Sequence, residues 1–409
     1  MSLNSTPVAV RLHIGIFGRR NSGKSSLINS ITGQKLAIVS DFPGTTGDPV
    51  YKTMEINPIG PVVFIDTAGF DDEGELGQLR VEKTREAVKK TDIAILTLDG
   101  SSIAGEDMNL ALEKQWMDYL EGRNIPVIIV LNKGDLFFGK EKEYVKRASD
   151  YFAREVLAVC SKDGKGLDQL RDALASAREM QKSQDAETIL GNLADQDDLV
   201  MLVMPQDKQA PKGRLILPQV QTIRELLDRR CTCVAATMEG FANALGALKE
   251  SPKLIICDSQ CVSQVYDMKP ENSVLTTFSI LFAGYKGDIK VFLEGVEALK
   301  KLKENSRVLI AEACTHAPLT EDIGREKIPA LLRKKYGRNI EVQVVSGKDF
   351  PEDLTPYDLV IHCGGCMFNR KYMLDRIEQA KAQQVAITNY GMVMSYFGGI
   401  LDKVNTSRR

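Results

Sequence analysis

The sequence is poor in histidine, three residues in 409, and carries almost no excess of either charge: 53 Lys and Arg stand against 55 Asp and Glu, a formal net charge of -2. Bulk nucleic-acid binders are normally strongly basic, so no nucleic-acid partner is expected. No apolar run approaches the ~18 residues of a membrane span, and Met1–Val10 lacks the basic-then-apolar pattern of a secretory signal. No membrane association is expected, and the expected compartment is the cytoplasm. In that reducing setting the eight cysteines do not suggest a disulfide framework, and their default reading is scattered core thiols. Low-complexity segments and short-period repeats are also missing. What is present is 43% hydrophobic and 26% charged residues, the balance of a globular protein. At ~150 residues per domain the length allows two to three domains.

Short apolar segments alternate with helical patterns along the chain. Strands are expected at Arg11–Phe17, Val62–Asp66, Ile93–Leu98, Val127–Leu131 and Val156–Cys160, with helices at Ser25–Thr32, Leu76–Lys89, Met108–Glu121 and Gly166–Met180. Such alternation implies a parallel sheet covered on both faces. A polar linker, Gln181 to Asp185, leads to a smaller block with strands at Leu199–Met204, Thr232–Ala236 and Leu254–Cys257. From about Met268 the pattern repeats, with strands at Ser273–Phe282, Arg307–Ala313, Glu341–Val345, Asp358–His362 and Val385–Thr388. The expectation is α/β throughout, in three domains over residues 1–180, 181–266 and 267–409.

The first domain carries the phosphate-loop pattern GxxxxGK[ST] as Gly18-Arg19-Arg20-Asn21-Ser22-Gly23-Lys24-Ser25, between a strand and a helix. Backbone N–H groups from Gly18 through Ser26 are expected to cradle phosphates, with Asn21, Ser22 and Gly23 in the turn. Lys24 can reach the β- and γ-phosphates, and Ser25 can ligate Mg²⁺. Asp66-Thr67-Ala68-Gly69 resembles the DxxG switch of GTPases, with Asp66 toward Mg²⁺ and the Gly69 N–H toward the γ-phosphate. Asn132-Lys133-Gly134-Asp135 resembles the NKxD guanine reader. Asp135 can accept two hydrogen bonds from guanine that adenine cannot offer. Ser161 and Lys162 fall where such domains have their last base-contacting loop. Four motifs in this order point to GTP and GDP as ligands and to a P-loop GTPase domain.

Gly44-Thr45-Thr46-Gly47-Asp48 resembles the remaining switch of Era/MnmE-like GTPases, and by position Thr46, with Thr45 as the alternative, joins the Mg²⁺ shell. After the DxxG glycine stands Phe70 where a water-positioning Gln is usual. In that group the phosphate-loop Asn, here Asn21, helps to hold a K⁺ near the phosphates; otherwise it is a polar loop residue. Slow, K⁺-stimulated hydrolysis is therefore expected. Asp71, Asp72 and Glu73 read as solvated loop acids.

Two further groups sit just past strands of the last domain: Cys314-Thr315-His316, and His362-Cys363-Gly364-Gly365-Cys366. Carboxyl ends of strands are where open parallel sheets build ligand crevices. A single CxxC with a third Cys on another strand allows an Fe–S cluster, zinc, or redox and structural thiols. His316 and His362 are cluster-adjacent candidates, or no ligands at all. Among the other cysteines, Cys160 reads as packing, Cys231 and Cys233 point to opposite faces of a strand, and Cys257 with Cys261 reads as core thiols. His13 reads as structural.

A CxH pair, a gap of 45 residues and then HCxxC resemble the cluster-binding signature of the [FeFe]-hydrogenase maturation GTPases, the HydF family. Gly44 to Lys52 and Gly74-Glu75-Leu76-Gly77 also look like this family, although Gly47 stands where more distant GTPases carry Arg. The resemblance covers the whole chain. It implies an Era-like GTPase domain, a small α/β dimerisation domain and a C-terminal Rossmann-like α/β domain holding a [4Fe–4S] cluster on Cys314, Cys363 and Cys366. It also implies a homodimer that carries a transient di-iron precursor, meets radical-SAM hydrogenase maturases, and delivers the subcluster to apo-[FeFe]-hydrogenase. The alternative is an Era/MnmE-like GTPase of RNA modification or ribosome assembly with a structural metal site.

Overall fold

The computed structural model describes residues 8–33, 49–71, 74–103, 108–137, 139–184, 188–205, 215–313, 323–347, 349–365 and 368–406. The chain divides into two compact units, Met1–Ala186 and Glu187–Arg409.

In the first unit, β1 (Leu12–Gly18), β2 (Val50–Ile56), β3 (Gly60–Asp66), β4 (Ile93–Asp99), β5 (Val127–Asn132) and β6 (Val156–Ala158) form one sheet in the order β2-β3-β1-β4-β5-β6. Every neighbouring pair is parallel except β2 with β3. Side-chain alternation explains the layering. Ile14, Ile16, Ile93 and Ile95 pack on one face with Leu27, Ile28 and Leu170. Phe17, Leu96 and Leu98 pack on the other with Trp116, Met117 and Leu120. Strands that are apolar at both parities have no wet face, so helices cover both sides. β2 alternates between more and less exposed residues along most of its length, as suits an edge. β1 lies between β3 and β4, so its carboxyl end opens on the switch point of the sheet.

The second unit holds two parallel four-stranded sheets. The first comprises β7 (Leu199–Val203), β8 (Thr232–Ala236), β9 (Leu254–Cys257) and β10 (Val274–Thr277) in the order β10-β9-β7-β8. The second comprises β11 (Arg307–Glu312), β12 (Glu341–Ser346), β13 (Leu359–His362) and β14 (Ala386–Asn389) in the order β12-β11-β13-β14. The two sheets share a core, in which Met201, Val203 and Ile255 join Leu309, Val360 and Ile387.

A helix, Phe278–Lys286, stands between them. Its Phe278, Leu281 and Phe282 pack with Leu202 and Ile256, whereas Ile280 and Ala283 belong to the shared core. The sequence pattern suggests one long strand over Ser273–Phe282. The strand instead ends at Thr277, whose hydroxyl accepts the Ile280 N–H at 3.2 Å and starts the helix. The outer side of β10 is covered: the Asn405 N–H donates to the Leu275 carbonyl at 2.8 Å, and the Thr276 hydroxyl donates to the Asn405 carbonyl at 3.0 Å. The opposite edge of that sheet is β8, whose residues are exposed or half-buried. Among the described residues no helix is long and apolar enough to cross a membrane.

Candidate functional site

The phosphate loop joins β1 to the helix Lys24–Thr32. Its turn uses left-handed backbone at Asn21 (φ 61°) and Gly23 (φ 87°). A Cβ on Gly23 would lie 2.3 Å from Asn132 Nδ2, so only glycine fits under that amide. Ser22 is buried, and its hydroxyl shares a 2.8 Å hydrogen bond with that of Thr97 on β4. Lys24 is 7% exposed, and its ammonium donates to the carbonyls of Gly18 at 3.0 Å and Arg19 at 2.8 Å. The cation is thus held over its own loop, where phosphate oxygens can replace those carbonyls. Ser26 is half-buried in the first turn of the helix. Arg19 points elsewhere: Nε and Nη2 donate to the buried Glu113 carboxylate at 2.6 and 3.1 Å. That hydrogen bond, against the opposing effect of burial, holds the guanidinium more firmly protonated. Arg19 therefore anchors the loop to the helix Ala111–Glu121.

Ser25 donates its hydroxyl proton to Asp66 Oδ2 at 2.6 Å. Asp66 is 2% exposed, and its Oδ1 is buried without a hydrogen-bond partner among the described residues. Burial pushes this carboxyl up, while Ser25, Lys24 and Lys52 pull it down. Hard oxygens with one buried oxygen left over fit a Mg²⁺ shell. Thr45 and Thr46 lie outside the described residues. Gly69 touches the loop: a Cβ there would lie 2.7 Å from Arg20 N. Asp71 is more than a solvated acid, because its Oδ1 accepts the Arg20 N–H at 2.6 Å. Phe70 is 4% exposed and stacks on Trp116 at 5.2 Å, and Trp116 stacks in turn on Phe17 at 6.1 Å. The position where a water-positioning Gln is usual is thus fixed in the apolar core.

Asn132 is 1% exposed and bridges two loops. Its Nδ2 donates to the Ser22 carbonyl at 3.0 Å and the Gly23 carbonyl at 3.4 Å. Its Oδ1 accepts from the Ser161 hydroxyl at 2.9 Å and the Ser161 N–H at 3.3 Å. The residue that the motif assigns to guanine therefore also sets the base loop in register with the phosphate loop. Lys133 has left-handed φ 64° and pairs with Asp99 at 2.7 Å. The Asp135 carboxylate stays 35% exposed, 3.7 Å from the Lys162 ammonium. An accessible acceptor of this kind is what a guanine edge requires.

In the second unit β11 and β13 are neighbours, with Ala311 opposite His362. Cys363 Sγ accepts the Ala313 N–H at 3.0 Å and the Gly365 N–H at 3.4 Å. The residue just before Cys314 is thus in contact with Cys363. Cys314, His316 and Cys366 lie outside the described residues. Gly365 has φ 60°, and a Cβ there would meet Met373 Sδ at 2.5 Å, whereas a Cβ on Gly364 would meet nothing within 4 Å among the described residues. Ala313, Phe368, Tyr372 and Met373 form an apolar floor against which Cys363 packs. A soft donor, peptide N–H groups and a dry floor fit an Fe–S cluster.

His362 is fully buried, and both ring nitrogens have protein partners. Nδ1 donates to the Cys363 carbonyl at 2.7 Å, and Nε2 accepts from Arg376 at 2.7 Å. Burial first, and Arg376 second, lower its pKa to about 3, so the ring is neutral. It supports Cys363 from behind. Arg376, 2% exposed, stacks on Phe350, Phe368 and Tyr372 at 4.4, 4.6 and 5.0 Å. Sequence reasoning missed both Arg376 and Lys286. Lys286 is 1% exposed and donates to the carbonyls of Gly365 at 3.1 Å and Phe368 at 2.7 Å. Its signal was a lone Lys closing the apolar run Phe278–Tyr285. His13 is buried with Nδ1 2.9 Å from the Arg11 carbonyl. Cys160, Cys231, Cys257 and Cys261 are buried thiols, and Cys233 is half-buried.

The phosphate loop at β1, the Ser25–Asp66 pair and the linked base loop define the first unit as a P-loop GTPase domain. Residues 13–133 match the family described as "50S ribosome-binding GTPase", 189–287 the "Hydrogen maturase F dimerization domain", and 290–406 the "Hydrogen maturase F tetramerization domain". The chain belongs to the hydrogen maturase F family, whose two models together take in more than half of it. Both are models of oligomerisation domains. GTPase Der of Kosmotoga olearia is 36% identical over 174 residues, 40% of this chain and 38% of its own. The tRNA modification GTPase MnmE of Heliobacterium modesticaldum is 37% identical over 162 residues, 39% of this chain and 32% of its own. The chain thus spans about a third of the length of these curated relatives. A structure of Aquifex aeolicus Era bound to GDP and aluminium fluoride is 18% identical with a TM-score of 0.37, covering 55% of this chain and 92% of that one.

Proposed function

We propose that this protein is a cytoplasmic GTP-hydrolysing carrier that holds a [4Fe–4S] cluster on Cys314, Cys363 and Cys366 and delivers a di-iron precursor to apo-[FeFe]-hydrogenase. The observation that carries the proposal is the 3.0 Å hydrogen bond from the Ala313 N–H to Cys363 Sγ. It ties Cys363 to the residue that precedes Cys314 in the sequence, which supports a single site for both cysteine segments in a chain of the hydrogen maturase F family.

On the nucleotide side, Lys24 exchanges its loop carbonyls for phosphate oxygens, and Asp135 accepts from the guanine edge. Mg²⁺ on Ser25, Thr46 and Asp66, with K⁺ beside Asn21, would neutralise charge that develops on the transferring phosphoryl group. Phe70 cannot orient water, which supports slow intrinsic turnover. On the cluster side, Cys314, Cys363 and Cys366 would hold the cluster, which would supply an exchangeable ligand position for the cargo. His362 keeps Cys363 in place and stays neutral. The radical-SAM maturases and the hydrogenase are the expected partners, and β8 is the edge through which two copies pair.

The decisive test is activation of apo-hydrogenase in vitro by anaerobically purified protein loaded with a di-iron complex. Protein that carries about four Fe per chain before loading is expected to activate it once loaded, and Cys363→Ser is expected to lose both cluster iron and activation while hydrolysing GTP. Failure to activate with an intact cluster would defeat the carrier reading. Equal hydrolysis rates in Na⁺ and K⁺ would remove the role of Asn21.

A further inference from the structure

We infer that Lys286 is a positioning residue of the cluster loop and the positive charge that favours electron uptake there. The inference rests on the reading that Cys314, Cys363 and Cys366 hold a [4Fe–4S] cluster.

Lysine is almost never fully buried, and withdrawing an ammonium from water costs several kcal/mol. Lys286 is nevertheless 1% exposed. Its Nζ donates to the carbonyls of Gly365 and Phe368, which bracket Cys366 in the sequence. One ammonium therefore ties together the described residues on either side of an expected ligand. Gly365 and Phe368 lie between β13 and the helix Arg370–Ala382. The lysine reaches them from the helix Phe278–Lys286, whose apolar residues pack into the cores of both sheets. The base of the side chain is thus as rigid as those cores.

The charge has a second effect. A [4Fe–4S]²⁺ core with three thiolates carries -1, and one-electron reduction takes it to -2. A cation held in a low-dielectric site favours the more negative state. Removing it is expected to make the midpoint potential more negative. Removing the hydrogen bonds as well is expected to loosen Cys366.

The test uses full-length protein, purified anaerobically, as wild type, Lys286→Met, Lys286→Gln and Lys286→Arg. Iron and sulfide per chain, iron loss to a chelator, and an EPR-monitored redox titration are the readouts. GTP hydrolysis and circular dichroism report the fold. Lys286→Met is expected to lose iron several-fold faster and to titrate at a more negative potential. Lys286→Gln, which can still donate, is expected to keep more iron but share the lower potential. Lys286→Arg should restore the potential. Wild-type potential and chelator resistance in either folded neutral variant would overturn the inference, and Lys286→Gln decides if Lys286→Met does not fold. A wild-type protein without iron would instead mean that the cluster reading itself fails.

Discussion

Asn132 shows how one side chain can serve two loops. Its amide bonds Ser22 and Gly23 on one side and Ser161 on the other. Asn132→Ala removes these bonds, leaving the Gly23 carbonyl only its Leu27 N–H, at about 1–3 kcal/mol for each buried group left unpaired. Affinity for a fluorescent GDP analogue is expected to fall at least tenfold, and an unchanged affinity would mean that the loops keep register without it. Phe70 makes a parallel case from the apolar side. Phe70→Ala removes a ring stacked on Trp116, and truncating a core Phe costs about 3–5 kcal/mol. Trp116 is the single tryptophan of the chain, so its emission reports the change directly. A red shift together with a lower melting temperature of the GTPase domain is the expected result.

Among the elements, the β8 edge carries the most testable geometry. Thr232 N–H and Ala236 carbonyl bond toward the β7 side, to Asp198 and Met204. By alternation the backbone of Cys233 and Ala235 points outward. Ala235→Pro removes one outward donor without touching the β7 ladder, and edge strands tolerate proline. Light scattering is expected to show weakened self-association with the fold retained. An unchanged oligomer would move the pairing away from β8.

The elements also divide by how visible they were in the sequence. The buried strands and the motif loops were legible, because apolar runs and fixed residue types persist in any context. β2 was not, since an edge strand carrying Lys52 and Glu55 has no core pattern. The first half of the helix, Phe278–Phe282, reads as strand because a helix buried on every side loses its period. Lys286 and Arg376 stayed hidden for a related reason. Their burial comes from partners distant in sequence, such as Gly365 and Gly347. Asp71 likewise gains its role only when folding brings Arg20 to it.

For the whole molecule, the two compact units and the core shared by β7–β10 and β11–β14 set the unfolding pattern. Two calorimetric transitions are expected. Mg²⁺ with GDP should raise only the one belonging to residues 1–186, because a ligand stabilises the unit that binds it. Three transitions would mean that the shared core does not couple the two sheets. Between the helices Phe278–Lys286 and Ile289–Lys300 lie only Gly287 and Asp288, and Asp288 accepts the N–H groups of Lys290 and Val291. This joint has a genealogical consequence. The lysine that grips the cysteine loop lies before it, and the loop lies after it. A crossover at the joint would separate a gene segment that encodes the grip from one that encodes what is gripped. Recombination between diverged relatives should therefore succeed near residue 186 and fail near residue 288, which would make the second unit one heritable block.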